Sequence, residues 1–465
     1  MMAFCSAVRV PRKPLVVILG STGTGKTKLS LELAQKFEGE ILSADSMQVY
    51  TGLDIITAKA TKQERSLAQH HLIDIVDPFK AFTVVDFRNK AIKIIDDLFA
   101  RNKMPIVVGG TNYYIESLLW KILVDDPGSM PGDVPLADCE PFNKKLRFDA
   151  ELEDGVSSLE LHKRLQQLDP DMAKRLHPNN RRKILRSLEV LKQRGRRHSD
   201  ILREQQSSEG GSSLGGPLRY PDSVIFWLRC DQKILDERLD ARVDNMMKLG
   251  LVEELTDFHT RYNEQRLQAN MPPDYTKGIF QSIGFKEFHE YLILNPELKN
   301  TKDAEKLLKS GIENLKIVTR RYARKQIRWV LNRFLGRPDR EVPSVYGLDT
   351  TDVSLWKENV RKPAIEIIQS FFTNSVCKYT PMPVKVTSEA SSPFFKEETY
   401  LCDVCERVFV GLSQWNDHKN SKKHKKILKK KLKQSVLQKD LIVEADKSEN
   451  DTKTNIKTHE TGEQK

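Results

Sequence analysis

Residues 15–27, LVVILGSTGTGKT, constrain this chain more than any other stretch. An apolar run ending at Gly20 has the character of a fully buried parallel strand. Gly20, Gly25, Lys26 and Thr27 then fit the pattern Gly-x4-Gly-Lys-Ser/Thr, and a helix is expected from about Lys26 to Phe37. The glycines let backbone N–H groups point at phosphate oxygens, and the helix N-terminus adds a positive dipole. Lys26 adds a point charge, and Thr27 can reach a Mg²⁺ ion. The alternative, a Gly-rich turn with no ligand, is disfavoured by the strand before it and the helix after it.

The rest of the first 120 residues continues the alternation. GEILSAD (39–45) reads as a second strand and VVDFRNKAIKIIDDLFARNK as an amphipathic helix. MPIVVGGTNYY reads as a third strand that breaks at Gly109–Gly110 into another helix. This order predicts an α/β fold: a P-loop-type parallel sheet with flanking helices. The core is expected over 14–124 and 222–335, ending in a long basic helix. A helical insertion fills 125–221, closing in a flexible Gly/Ser-rich loop at 205–221. Residues 336–398 read as a connector, 399–426 as a small C-terminal module, and 427–465 as a basic, then disordered, tail.

A nucleoside-triphosphatase also needs an acid at the end of a core strand to hold its metal. Here the best such strand, PIVVGGT, ends in Gly-Gly-Thr, and LIDIVDP and FWLRCD are poor substitutes. The loop is therefore expected to grip a diphosphate that is not hydrolysed in the usual way. Asp45, at the carboxyl end of a strand expected beside the phosphate-loop strand, faces the crevice where such sheets bind ligands. An acid there can hold Mg²⁺ or take a proton from a nucleophile; it can also simply cap the following turn, DSMQ. Arg238 and Arg242 lie four apart on one helix face. They suit either a phosphate lid or surface ion pairs with Glu237, Asp240 or Asp244.

The far end of the chain carries a second local signal. Cys402-x2-Cys405-x12-His418-x5-His424 suits tetrahedral zinc, with Phe409, Leu412 and Trp415 as the small core the metal nucleates. A Lys-rich stretch at 419–433 follows; it suits phosphate contacts, a nuclear-localisation signal or a solvated tail. The net charge of +12 agrees with an anionic partner. Six scattered cysteines do not make a disulfide framework and suit a reducing compartment. No run is long and apolar enough for a membrane span. The basic residues 1–13 fit a mitochondrial presequence or a lead-in to the first strand.

Taken together, GSTGTGKT, SADSMQVYTGLDIITAKAT, HHLIDIVDP, FTVVDFRNKA, PIVVGGTNYYIESLLW, RLHPNNRRKILRSLEV, GIFQSIGFKEF and TRRYARKQIRW resemble the tRNA dimethylallyltransferase (tRNA isopentenyltransferase) family over residues 14–335. The finger and basic tail resemble its eukaryotic form. The resemblance implies transfer of a dimethylallyl group from dimethylallyl diphosphate to N6 of the adenosine 3′ of the anticodon. Gly20 with Thr22, Gly23, Thr24, Gly25, Lys26 and Thr27 then bind the diphosphate. Asp45 matches the general base, Lys26 and Arg242 the residues that neutralise the leaving diphosphate, and Thr111 a residue near the reacting groups.

The same resemblance assigns Asp45, Ser46, Met47 and Gln48, and Arg182, Lys183, Ile184, Leu185 and Arg186, to tRNA contacts. The helix 317–330 and the insertion would grip the anticodon arm. Residues 125–150 match the family poorly, so no site is carried there. Mg²⁺ and structural Zn²⁺ are the expected cofactors. A monomer in mitochondrion and cytoplasm, with the nucleus as a third compartment, is the expected setting. The competing readings are a P-loop kinase or ATPase with an RNA-binding finger, and a non-enzymatic RNA-binding protein.

Overall fold

The computed structural model describes residues 13–122, 155–268, 278–373, 375–384 and 399–432. The presequence reading, the poorly matching 125–150 stretch and most of the basic tail lie outside the described residues. The chain divides into two compact units, Met1–Asp125 with Glu204–Ser391, and Asp126–Arg203 with Ser392–Lys465. No helix among the described residues is long and apolar enough to cross a membrane.

The chain opens with β1 (Leu15–Gly20), α1 (Lys26–Phe37), β2 (Gly39–Ser43), α2 (Lys62–Leu67), β3 (His70–His71), α3 (Val84–Ala100), β4 (Met104–Val108) and α4 (Asn112–Leu119). Four helices follow: α5 (Ser158–Leu168), α6 (Pro170–Arg175), α7 (Arg181–Arg194) and α8 (His198–Ser207). The chain then runs through β5 (Ser223–Arg229), α9 (Gln232–Lys248), α10 (Leu251–Gln268), α11 (His289–Leu292), α12 (Lys302–Trp329), β6 (Val345–Asp349) and α13 (Lys362–Thr373). It closes with β7 (Thr399–Cys402), β8 (Arg407–Val410) and α14 (Leu412–Asn420).

Six strands form one parallel sheet in the order β3-β2-β4-β1-β5-β6. The period-2 geometry of a strand splits its side chains between two cores. Leu15, Val17 and Leu19 of β1 face α3, α4 and the end of α12, packing with Phe87, Ile95, Leu118 and Phe334. Val16 and Ile18 face α1 and α13, packing with Leu29, Leu33, Ile367 and Ile368. A strand buried on both sides must be apolar throughout, which is what the β1 sequence shows.

Three sequence expectations change. β2 does not neighbour β1: β4 lies between them, pairing Ile106 with both Val16 and Ile41. The reason is burial. β4 is apolar on both faces, whereas β2 begins with the half-exposed Gly39 and Glu40. Residues 336–398 are more than a connector, because β6 extends the sheet beside β5 and α13 seals one core. β6 alternates buried and exposed residues as an edge strand does, and so lacks the long apolar run that marks a central strand. Finally, the Gly/Ser-rich loop is tied down. Gly216 N donates to Lys121 O (3.0 Å), Arg219 N donates to Leu119 O (2.6 Å), and Ser213 N donates to Asp339 (3.0 Å).

In the second unit α5, α6 and α7 enclose Leu161, Leu165, Met172, Ala173, Leu176, Ile184 and Leu188. Asp169 is 1% exposed and accepts from Met172 N and Ser199 N, so one carboxylate caps two helix starts.

Candidate active site

The phosphate loop is shaped before any anion arrives. Lys26 Nζ and Thr24 Oγ1 both donate to Ser21 O, at 2.8 and 2.9 Å. Gly25 takes φ +86°, a left-handed conformation that only glycine adopts without strain, and this turns the loop into α1. Burial is the main reason that the Lys26 ammonium loses its proton more readily than usual, with a pKa lowered to about 8. Asp45 opposes that shift and Arg242 adds to it.

Asp45 stands two residues beyond β2, half-buried in the cleft. One oxygen, Oδ1, accepts from Met47 N at 2.9 Å, so the turn-capping alternative is real. Oδ2 lies on the side of Gly110. Desolvation raises the Asp45 pKa; the Met47 amide, Lys26, the Gln48 amide and Arg242 pull it back. The result is a carboxylate with increased proton affinity beside two cations, a setting that suits a general base.

The two arginines of α9 part company. Arg242 turns into the cleft with Lys26 and Asp45. Arg238 donates to Thr350 O and Thr351 O and so anchors the chain after β6; it is structural, not a lid. Thr111 holds the site together. Its hydroxyl accepts from Ser46 N (3.0 Å) and donates to Ser46 Oγ (3.2 Å), tying the Asp45 turn to the end of β4. Thr111 is also the N-cap residue of α4, but it caps through its backbone carbonyl, which accepts from Tyr114 N at 2.9 Å, and leaves its hydroxyl to Ser46.

The missing metal-holding acid has a steric explanation. A methyl group on Gly109 would lie 2.1 Å from Ala44 O, and one on Gly110 would lie 2.4 Å from Gln326 Nε2. Gly109 is held as glycine by the backbone of the Asp45 turn, and a side chain at Gly110 would displace the Gln326 amide. Gln326, 5% exposed, was not singled out from the sequence. Its Oε1 accepts from Thr22 N (3.1 Å), its Nε2 donates to Gly110 O (2.9 Å), and Asn112 Nδ2 donates to its carbonyl (3.1 Å). It therefore fastens the phosphate loop to the β4 turn. The sequence carries no local signal for it, because its partners Thr22 and Gly110 lie more than 200 residues away.

Lys26, Asp45, Gly109, Gly110, Arg242 and Gln326 line one cleft of about 1450 Å³, which also includes Thr27, Arg321, Lys325 and Arg328. The basic helix is two-faced. Arg320 and Arg324 pair with Asp240 and Asp236 of α9, and Lys316 pairs with Asp244 at 2.7 Å. Of the basic residues in the second half of α12, Arg321, Arg324, Lys325 and Arg328 line the cleft.

Gln48 is likewise occupied: it donates to Thr57 O and Ala58 O and accepts from Ser43 Oγ. Ser46 is bound to Thr111, and Met47 packs beside the core around Val49. In α7, Arg182 and Lys183 are exposed and Arg186 pairs with Glu189 at 3.5 Å. Ile184 is fully buried and the partly buried Leu185 packs against the same cluster, so the Ile184 side chain serves the helical core.

In the finger, Cys402, Cys405, His418 and His424 offer ligand atoms that all lie within 4.8 Å of one another. His418 Nε2 is buried without a partner, an orphan that a metal ion would satisfy. The donor set fits zinc. Phe409 and Trp415 pack with Tyr400 and His418. Leu412 does not join them; at the first position of α14 it is 56% exposed.

A family model described as IPP transferase matches residues 48–333, one described as isopentenyl transferase matches 13–74, and a C2H2 zinc-finger model matches 400–424. The tRNA dimethylallyltransferase of Mus musculus is 54% identical over 423 residues, covering 90% of this chain and 86% of the relative. That of Schizosaccharomyces pombe is 33% identical, covering 90% and 96%. A crystal structure of a eukaryotic dimethylallyltransferase acting on tRNA matches with a TM-score of 0.71 at 30% identity, covering 92% of this chain and 99% of that one. A family model spanning more than half of the chain, with relatives at this identity and coverage, means that this protein belongs to the IPP transferase family.

Proposed function

We propose that this chain transfers a dimethylallyl group from dimethylallyl diphosphate to N6 of the adenosine on the 3′ side of the anticodon in tRNA, releasing diphosphate. The observation that carries this reading is the joint presence, in one cleft, of the glycine loop with Lys26 and of Asp45 with Arg242 beside it. The loop would hold the leaving diphosphate. The C1–O bond of the donor breaks with its electron pair going to diphosphate, the N6–C1 bond forms, and the N6 proton passes to Asp45. Lys26 and Arg242 neutralise the charge that grows on the leaving group. The exocyclic amine is a weak nucleophile, because its lone pair is delocalised into the ring. Positioning by Thr111 and Gln326 therefore contributes much of the rate. The adenosine must leave the anticodon stack to reach the cleft.

We assign Mg²⁺ to the diphosphate, with the exposed, cleft-lining Thr27 as the chain's own ligand, where the ion would add to charge neutralisation. The Gly-Gly end of β4 weighs against a kinase or ATPase. Action as a monomer in mitochondrion and cytoplasm, with a nuclear fraction, completes the proposal.

The test is incubation with tRNA and either labelled dimethylallyl diphosphate or ATP. Label should reach the RNA from the prenyl donor, and Asp45→Ala should lose transfer by about 10²–10⁴-fold while keeping tRNA binding. ATP turnover stimulated by tRNA, without prenyl transfer, would defeat the assignment.

A further inference from the structure

Gly25 is where the phosphate loop turns into α1, and a glycine there has more backbone freedom than any other residue. Something must fix it, because the N–H groups on either side have to converge on one anion. Its neighbour in this protein is an indole. A methyl group on Gly25 would lie 2.8 Å from the Trp356 ring, so the ring edge rests directly on that turn.

Trp356 is itself firmly placed. It is 7% exposed and belongs to the core shared by α1 and α13. Its Nε1 donates to the Glu32 carboxylate at 3.0 Å, one turn and a half along α1, and the Lys28 ammonium sits 4.6 Å over its ring. The backbone that delivers it is irregular: a 3-10 turn, Val353–Leu355, runs into it and a π-helical turn, Lys357–Arg361, leaves it. Single π-turns of this kind are frequent at functional sites. This residue lies outside the match to the IPP transferase model, which ends at residue 333.

We propose that Trp356 is a positioning residue for the phosphate loop. It wedges Gly25 and the first turn of α1 into the anion-binding shape, so that the segment after β6 completes the diphosphate seat. The inference rests on the reading of the loop as a diphosphate site.

The test uses the full-length chain with Trp356→Phe and Trp356→Ala. Phenylalanine keeps an aromatic filler in the core but is too short to reach Gly25 and has no N–H for Glu32. KM for dimethylallyl diphosphate should rise roughly tenfold in W356F and further in W356A, with KM for tRNA unchanged. Affinity for inorganic diphosphate should fall in parallel. If W356A does not fold, W356F alone decides. Diphosphate affinity within twofold of wild type in W356F, or equal increases in KM for both substrates, would overturn the proposal. Wild-type protein that binds inorganic diphosphate but transfers no prenyl group would instead overturn the activity assigned above and leave this wedge standing.

Discussion

Asp45 has to keep a high proton affinity and yet arrive at the reaction ionised. Desolvation supplies the first property, and the Met47 amide, Lys26, the Gln48 amide and Arg242 work toward the second. Lys26 pays the converse penalty, since the burial that sharpens its charge also lowers its pKa to about 8. The sign of each shift sets the pH profile. Transfer needs Asp45 deprotonated, so the rate climbs as pH rises through a pKa above the usual carboxylate range. It needs Lys26 protonated, so kcat/KM for the donor falls again as pH passes about 8. Lys26→Arg keeps its proton at any working pH and should erase the basic limb while lowering the maximum. A basic limb that survives in K26R would show that another group titrates there. At this scale Lys26, Thr27 and the zinc ligands were legible, because each is defined by spacing along a few residues. Gln326 was not, because a glutamine is diagnostic only once Thr22 and Gly110 are seen on either side of it.

Among the elements, α9 and α12 repay closest comparison. Sequence alone shows the second half of α12 as basic; the fold pairs Lys316, Arg320 and Arg324 with the acids of α9 and places Arg321, Lys325 and Arg328, together with Arg324, along the cleft. The partners sit some 80 residues apart in sequence, which no local pattern reveals. The same helix α9 presents Arg242, so the ion pairs help to set where that guanidinium stands. A double variant, Asp236→Asn with Asp240→Asn, should lose less than about 1 kcal/mol per pair in chemical denaturation, because the pairs are partly solvated. Its KM for the donor should nonetheless rise several-fold, measured with saturating tRNA. An unchanged KM would show that the hydrophobic contacts of Leu235 and Leu239 with Ala323 hold α9 unaided.

On the scale of the whole molecule, the finger and the catalytic core fall in different compact units, and their stabilities should separate. Small two-Cys two-His modules fold on their metal. Chelating zinc, or Cys402→Ser, should remove the finger's structure and leave the main thermal transition of the protein in place. Removing residues 398–465 should weaken tRNA affinity, most clearly near physiological salt where each lost phosphate contact counts, while slowing transfer on bound tRNA much less. An unchanged tRNA Kd would exclude the finger and its Lys-rich extension from binding.

The residues alone determined the chemistry that is local: a strand–loop–helix able to hold phosphate, an acid after the second strand, four metal ligands at fixed spacing, and alternating elements that demand a parallel sheet. Backbone conformation, dipoles and ligand spacing act within a few residues, so they are written in order along the chain. Only the tertiary structure decided that β4 separates β1 from β2, that β6 completes the sheet, which cations of α12 line the cleft, and that Gln326 and Trp356, both some 300 residues further along the chain, rest on the loop. Those outcomes depend on burial and steric contact between segments up to about 330 residues apart, and such contacts exist only once the chain has closed on itself.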